Sequence, residues 1–327
     1  MSESPAAPQR SPLQDLGAAL PAFGSAEPVP PELGSYLDFY RLALLVERVG
    51  SGYHCGRLDS GDFRLVVQRW LQPGARHNLL LLHGYFDHVG LFGRLVDYGL
   101  SRGCNVLAFD LPGHGLSSGE PASINTFDHY GDSIAAVLAQ AGLPPLPLWV
   151  MAQSTGAAAL INFVRRNPWP GVGTVLLAPL LRPVHWSRVR VSHTLLHRFI
   201  DSVPRRFGEN SSDTDFLAFV QEDPLQPRRI PVDWVGALSN WLAELPLEDL
   251  GTGPALIVQG DKDGTVDWRY NLPHIGKLVP NSSSQMVRGA GHHLANEAEG
   301  YRQLYQRAVD RYLGLDLCPP AYPLSWG

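Results

Sequence analysis

Cysteine is scarce in this chain: Cys55, Cys104 and Cys318 are its only thiols in 327 residues. An odd, widely spaced set without metal-like spacing argues against a disulfide framework and points to reduced thiols, as in a cytosol. Long apolar runs are missing too. No stretch reaches the roughly 18 consecutive apolar residues of a membrane-spanning helix. The N-terminus has no basic start followed by an apolar segment, so no secretory leader is expected and the expected location is cytoplasmic. Positive charge is not in excess. With 26 Lys and Arg against 31 Asp and Glu the net charge is −5, which argues against a nucleic-acid partner. Metal-ligand patterns are also lacking. His193 and His197 have H-x-x-x-H spacing without an intervening glutamate, and a solvated helix face explains them better than a metal site. No metal and no cofactor is expected.

What is present is enough apolar residue, 44%, to bury one substantial α/β core and an insertion. Residues 1–31 are rich in Pro, Ala and Ser and read as a loose or wrapping tail. Residues 31–49 predict one amphipathic helix with Tyr36, Phe39, Tyr40, Ala43 and Val46 on a shared face. Strand patterns at 53–57 and 63–71 are followed by strand–helix alternation through 178. Such alternation predicts a mostly parallel sheet covered by helices on both faces, formed by residues 32–180 and 251–318. The segment 181–250 breaks the alternation and predicts a helical cap inserted over the sheet. Its first part is basic and interleaved with apolar residues, Arg188, Arg190 and Arg198 among Val189, Leu195 and Phe199. Two readings of it stand, a solvated helix face or a transient membrane-surface contact. Trp186, Trp234 and Trp241 likewise read as packing residues or as a wall for an acyl chain.

The most informative stretch is Trp149-Val150-Met151-Ala152-Gln153-Ser154-Thr155-Gly156-Ala157. An apolar run stops at a serine boxed by small residues, and an alanine-rich helical pattern begins at once. This is the layout of a strand–turn–helix nucleophile elbow, which lifts a hydroxyl clear of the sheet. Small residues are required two positions either side, because strand end and helix start nearly touch. A serine hydroxyl needs an imidazole to take its proton, and the imidazole needs a carboxylate to orient it. Downstream, the apolar strand 255–260 runs into a loop holding Asp261, Asp263 and Asp267. The turn Gly289-Ala290-Gly291 then presents His292 and His293. Upstream, Leu79-Leu80-Leu81-Leu82 runs into His83-Gly84-Tyr85. An acyl-transfer site needs backbone N–H donors for an oxyanion, and the Tyr85 and Thr155 amides are the candidates. His83 and Gly84 support that loop, glycine by allowing close backbone approach.

Together these segments resemble the α/β-hydrolases of the serine aminopeptidase and lysophospholipase group, which includes monoacylglycerol lipases. The matching segments are L-L-H-G-Y, F-D-L-P-G-H-G-L-S-S-G at Phe109–Gly119, Q-G-D-K-D-G-T-V-D and G-A-G-H-H-L-A-N-E ending at Glu297, besides the elbow. The resemblance spans nearly everything from the first predicted strand to the last helix. It implies Asp263 as the acid and His292 as the base, leaving Asp267 as a helix N-cap and Asp261 as a turn residue. Two departures stand out. Ala152 replaces the usual elbow glycine, and His293 lies where glutamate is common.

The resulting expectation is a cofactor-free serine hydrolase of carboxylic esters working through an acyl-enzyme on single-acyl lipid esters. One alternative is an aminopeptidase of the same fold, with Glu222 and Asp223 available to hold a free amine. Another is a non-catalytic ligand-binding protein. The sequence is silent on oligomeric state.

Overall fold

Four consecutive leucines at 79–82 serve two opposite faces of one sheet, because successive strand side chains alternate in direction. Leu79 and Leu81 join one buried apolar cluster while Leu80 and Leu82 join the other. The computed structural model describes residues 12–315, apart from 170, 247 and 252. Cys318 and the first part of the expected tail lie outside the described residues.

The chain begins with helices α1 (Pro12–Ala19), α2 (Glu32–Phe39) and α3 (Ala43–Val49), then strands β1 (Tyr53–Ser60), β2 (Phe63–Trp70) and β3 (His77–Leu82). There follow α4 (Gly93–Ser101), β4 (Cys104–Phe109), α5 (Asp128–Gln140), β5 (Leu148–Gln153), α6 (Thr155–Val164) and β6 (Gly173–Leu177). Between β6 and the next sheet strand lie α7 (Trp186–Leu196), β7 (Ser202–Pro204), α8 (Thr214–Glu222), β8 (Arg229–Pro231) and α9 (Val232–Glu244). The chain closes with β9 (Ala255–Gly260), α10 (Trp268–Leu278), β10 (Ser282–Val287) and α11 (Glu299–Tyr312).

Eight strands form the sheet in the order β1-β2-β4-β3-β5-β6-β9-β10. Strands β1 and β2 are antiparallel to their neighbours, and every pairing from β4 to β10 is parallel. This is the α/β-hydrolase fold. The crossover direction reverses beside β3, and the carboxyl ends of strands at such a switch point are where open α/β sheets bind ligands. One face of the sheet packs Leu95, Tyr98, Tyr305 and Val309 from α4 and α11. The other packs Phe127 just before α5, Tyr130 and Ile134 from α5, the alanines of α6, and Trp234 and Trp241 from α9.

The N-terminal half departs from expectation in one place. The helix expected over 31–49 is two helices, broken at Tyr40–Leu42, where Arg41 takes a positive φ of 57°. The break turns Tyr40 inward, and its hydroxyl donates to buried Asp223 at 2.5 Å. A continuous helix would carry that hydroxyl away from its partner. The described part of the tail wraps. Leu16 and Leu20 of the α1 region are buried, and the tail pairs with Arg57 of the edge strand β1, Phe23 N donating to Arg57 O at 2.7 Å and Arg57 N to Pro21 O at 2.8 Å. The tail therefore covers part of an otherwise open sheet edge. Cys55 and Cys104 are free and buried, and burial pushes both thiols up to about 12. Among the described residues no helix is long and apolar enough to cross a membrane.

Docking of α1 makes a prediction whose sign is diagnostic. In an isolated helix Gly→Ala stabilises by about 0.8–1.0 kcal/mol. At Gly17 a Cβ would lie 1.9 Å from the Leu116 carbonyl oxygen, so Gly17→Ala is expected to destabilise by about 1–3 kcal/mol. Thermal unfolding measures it, and a rise in Tm would contradict the docked position.

Candidate active site

Ser154 lies between the last residue of β5 and the first of α6, with φ 50° and ψ −112°. Such a backbone is strained for a residue with a Cβ, and persists only where its surroundings hold it. Ser154 N donates to Leu177 O at 2.9 Å, and its carbonyl accepts from Ala157 N and Leu180 N at 3.0 and 3.2 Å. Gly156 explains the small-residue requirement. A Cβ there would lie 2.4 Å from the Leu82 carbonyl oxygen and 2.7 Å from that of His83, both backbone atoms that cannot move aside. Ala152, by contrast, packs its methyl in the core of the face shared with α6, so the turn accommodates it.

The loop after β9 holds Asp263 by four contacts. Its Oδ1 accepts from the backbone N–H of Thr265 and Val266 at 2.8 and 3.0 Å. Its Oδ2 accepts from Gln259 Nε2 at 2.9 Å and from His292 Nδ1 at 2.8 Å. His292 Nε2 lies 3.0 Å from Ser154 Oγ. A carboxylate can only accept here, so Nδ1 carries the proton and the lone pair of Nε2 is directed at the serine hydroxyl. Burial presses the His292 pKa downward, but the adjacent Asp263 carboxylate outweighs it and leaves the imidazole above its ordinary value. Burial likewise pushes Asp263 up, yet His292, Gln259 and the Val266 amide hold it below the usual carboxylate range. Asp261 serves elsewhere, accepting from Gly289 N at 2.7 Å and so bracing the histidine turn. Asp267 caps α10 through Tyr270 N and pairs with Arg182 at 2.8 Å.

The loop after β3 is held against the elbow. A Cβ on Gly84 would lie 3.4 Å from Ser154 Cβ and 2.7 Å from Asp87 Oδ2. His83 Nε2 accepts from Leu111 N at 2.8 Å, so its Nδ1 donates to the Gly84 carbonyl at 2.8 Å. Burial drives its pKa down to about 3, which keeps the ring neutral and its two bonds intact. Tyr85 is anchored by its hydroxyl to Ala122 O at 2.7 Å and by stacking on Trp234 at 3.9 Å. The amides of Tyr85 and Thr155 have no hydrogen-bond acceptor among the described residues.

A cavity of about 300 Å³ opens over Ser154 and His292. Tyr85, Phe86, Phe207, Phe216, Leu217 and Val220 supply its apolar wall, and Asp87, Arg205, Glu209 and His293 its charged or polar groups. The expected tryptophans are not in it. Trp234 and Trp241 are buried in the interior, where Trp241 stacks on Phe127 at 4.8 Å and Trp234 donates to Tyr130 Oη at 3.2 Å. Trp186 lines a separate groove with Arg190, Leu242 and His274. Both indoles of α9 pack against Phe127, and Trp234 also lies against Tyr85, behind the cavity wall rather than in it. His193 and His197 stack on one another along α7 at 5.2 Å. Among the described residues no group of three or more His, Cys, Asp or Glu is arranged to hold a metal ion.

Several organising residues escaped the sequence reading. His293 Nε2 pairs with Asp87 at 2.8 Å, and that pairing holds Asp87 at about 2 despite burial. The other Asp87 oxygen accepts from Gly84 N at 3.2 Å. Glu297, already present in the quoted motif, is fully buried and accepts from Ser212 N at 2.8 Å, from the Ser212 hydroxyl and from Gly291 N. It thereby ties the histidine turn to the segment before α8. Asp223, weighed as an amine holder, is wholly buried and engaged by Tyr40, by His88 Nε2 at 2.9 Å and by Leu225 N. Glu222 is exposed and does not line the cavity.

A serine, histidine and carboxylate in hydrogen-bonded series at the carboxyl ends of parallel strands define an α/β-hydrolase. The model of the serine aminopeptidase family S33 matches residues 73–299, and the chain belongs to that family. Phospholipase YtpA of Bacillus subtilis is 25% identical over 235 residues, covering 68% of this chain and 89% of that protein. Alpha/beta hydrolase domain-containing protein 17C of Xenopus laevis is 23% identical over 252 residues, covering 77% of this chain and 66% of that one. In structure, a soluble variant of the monoglyceride lipase of Saccharomyces cerevisiae, in complex with a substrate analog, aligns with a TM-score of 0.67 at 17% identity. That alignment covers 80% of this chain and 96% of the lipase.

The opposed influences on His292 predict the outcome of a histidine titration followed by NMR. In the parent chain the ring is expected to titrate above the ordinary value of about 6.5. In Asp263→Asn the raising partner is gone and burial remains, so the midpoint falls below the ordinary value. Asp261→Asn leaves it in place. A midpoint that moved with Asp261 instead would assign the wrong carboxylate.

Proposed function

We propose that this hydrolase cleaves carboxylic esters through a covalent acyl-enzyme on Ser154, with single-acyl lipid esters as its substrates. The observation that carries the reading is the unbroken series Ser154 Oγ, His292 Nε2, His292 Nδ1 and Asp263 Oδ2, at 3.0 and 2.8 Å. In the first half-reaction Ser154 Oγ passes its proton to His292 Nε2 as it attacks the ester carbonyl carbon. Asp263 steadies the imidazolium, and the unpartnered Tyr85 and Thr155 amides donate to the oxyanion. His292 then protonates the departing alkoxide, leaving an acyl group on Ser154. In the second half-reaction water gives its proton to His292 and attacks the acyl carbon. Collapse returns the proton to Ser154 and frees the acid.

The cavity supports the single-acyl part. About 300 Å³ lies at the small end of ligand sites, with an apolar wall from Phe207, Phe216, Leu217 and Val220 suited to one chain rather than three. The names of the bacterial relative, a phospholipase, and of the structural neighbour, a monoglyceride lipase, agree with lipid esters. The aminopeptidase reading is weaker, because Asp223 is engaged and Glu222 lies off the cavity, while Arg205 would repel a substrate ammonium. Residues 181–250 act as a cap in this reading, α8 supplying one wall of the acyl site. On the same cap, α7 and the turn after it expose Val191, Leu195, Leu196 and Phe199, the last at 81%. Exposed Arg188, Arg190, Arg198 and Arg206 flank this face. Apolar and cationic groups on one surface suit transient docking to an anionic lipid bilayer.

Labelling with a fluorophosphonate separates an activated serine from a mere ligand cup. Ser154→Ala is expected to abolish labelling and ester hydrolysis, and His292→Ala to come close. Asp263→Asn is expected to lower turnover on the order of 10⁴-fold by favouring the wrong tautomer. Full labelling of Ser154→Ala would refute the assignment. The pH profile follows from His292, which must be neutral to accept the proton. Its raised pKa places the acid limb above the ordinary value, with activity falling as pH drops through it and a plateau in mild alkali. A maximum near pH 4 would call for a different base. Across a series of p-nitrophenyl esters, specificity is expected to rise by up to about 0.8 kcal/mol per methylene until the cavity is full. A preference for acetyl esters would remove the lipid reading. For the bilayer contact, Leu195→Asp with Phe199→Asp is expected to lose co-flotation with phosphatidylserine vesicles. Unchanged flotation would refute it.

A further inference from the structure

The cavity over Ser154 contains a cation that makes no ion pair among the described residues. Arg205 follows β7 and lines the same space as Ser154 and His292. Its guanidinium lies 3.9 Å from the ring centroid of Phe86 and 4.4 Å from that of Phe207, so two aromatic faces fix the group. Arg205 Nη1 donates to Gln226 Oε1 at 2.6 Å and to the Pro227 carbonyl at 3.2 Å. Gln226 is itself held, its Nε2 donating to the Phe86 carbonyl at 2.8 Å and to Asp223 Oδ2 at 3.2 Å. The head group is thus braced by the loop that carries the Tyr85 amide, and by the buried Asp223 network behind it.

Arg205 Nε and Nη2 make no hydrogen bond among the described residues, and no carboxylate forms an ion pair with the group. Asp87 is taken by His293, and Glu209 stands exposed at the rim. Burial lowers the Arg205 pKa only to about 10, so the group stays charged at neutral pH. A second cation stands nearby, Arg228, 4.9 Å from the Phe207 centroid with its Nη2 on the Gln221 carbonyl. Removing a cation from water without an anionic partner is unfavourable. A guanidinium with two adjacent N–H edges open matches the two oxygens of a phosphate or carboxylate.

We infer that Arg205 is an anion subsite, which selects esters carrying a phosphate or a carboxylate on the part of the substrate that faces it. This rests on the ester-hydrolase reading and names the substrate class within it: an acyl ester with an oxyanion, not a neutral or cationic one.

The test compares three esters with the same acyl chain: monooctanoylglycerol, octanoylglycerol phosphate and octanoylglycerate. The parent enzyme is expected to show a higher kcat/KM for at least one anionic ester, the difference lying in KM. In Arg205→Gln the anionic-to-neutral ratio is expected to fall about 10- to 100-fold, the scale of a charge-assisted hydrogen-bond pair. Arg205→Lys, which keeps the charge but not the fork, is expected to fall in between. A selective loss for the phosphate ester or for the glycerate identifies which oxyanion the site takes. A parent enzyme without preference for either anion, or a ratio unmoved by Arg205→Gln, overturns the inference. If Arg205→Gln is inactive on all three, the Arg205→Lys ratio decides in the same terms. Calorimetric titration of Ser154→Ala with octanoylglycerol phosphate separates the two levels. Binding that weakens on adding Arg205→Gln supports the subsite even where the parent enzyme turns over no ester, a result that would defeat the hydrolase reading alone.

Discussion

The site depends on one close approach of backbone to backbone, where α6 starts against the end of β3. Gly156 has no room for a Cβ between itself and the Leu82 and His83 carbonyls. That contact permits β5 to turn into α6 across a single residue, which leaves Ser154 with a positive φ and its hydroxyl above the sheet. The same contact puts the loop after β3 beside the serine, so that Gly84 almost touches Ser154 Cβ and the free amides of Tyr85 and Thr155 belong to adjacent segments. A strand order with β3 and β5 side by side is required for this, and the parallel pairing of Leu82 with Ala152 secures it.

Around that contact, buried carboxylates organise loops that are remote in sequence. Asp263 gathers two backbone amides, the Gln259 side chain and His292. Asp87 joins Gly84 to His293, and Glu297 joins Gly291 to Ser212. Asp223 joins Tyr40, His88 and Gln226, reaching from the N-terminal helices to the segment between β6 and β9. Each is satisfied by several donors, which is how a buried polar network is held together. Gln153 extends the scheme, accepting from Ala295 N at 2.9 Å and so fixing the segment after His292 to the elbow itself. Arg205 is arranged differently: its guanidinium lines the cavity, braced by Gln226 and the Pro227 carbonyl, and makes no ion pair among the described residues.

Local chemistry made much of the fold and the central constellation readable. The alternation of β3, β4, β5 and β6 with helices is written in short apolar runs broken by Gly, Asp and Ser, and the elbow in the small residues around Ser154. Asp263 was harder, since three carboxylates share one loop and only the resemblance separated them. Tyr40 falls on a continuous helical face in the sequence, because nothing nearby announces a partner 183 residues away. The tryptophans fit wall or packing alike, since helical periodicity locates a buried face but not what lies opposite. His293 looked like a departure from a pattern, and its meaning lies in Asp87, across the cavity.

The sequence by itself determined what depends on neighbours along the chain: the strand and helix order, the elbow, the strand-end loops and the residue types that chemistry demands of a nucleophile, a base and an acid. Period, turn and small-residue requirements act over a few residues, and a single chain displays them. The tertiary structure decided what depends on closure in space: the break at Arg41, the interior place of Trp234 and Trp241, the carboxylate braces and the unpaired edge of Arg205. These follow from which donors and acceptors meet once the sheet and its helices are packed. Such meetings obey burial and hydrogen-bond satisfaction, and distance along the chain carries no record of either.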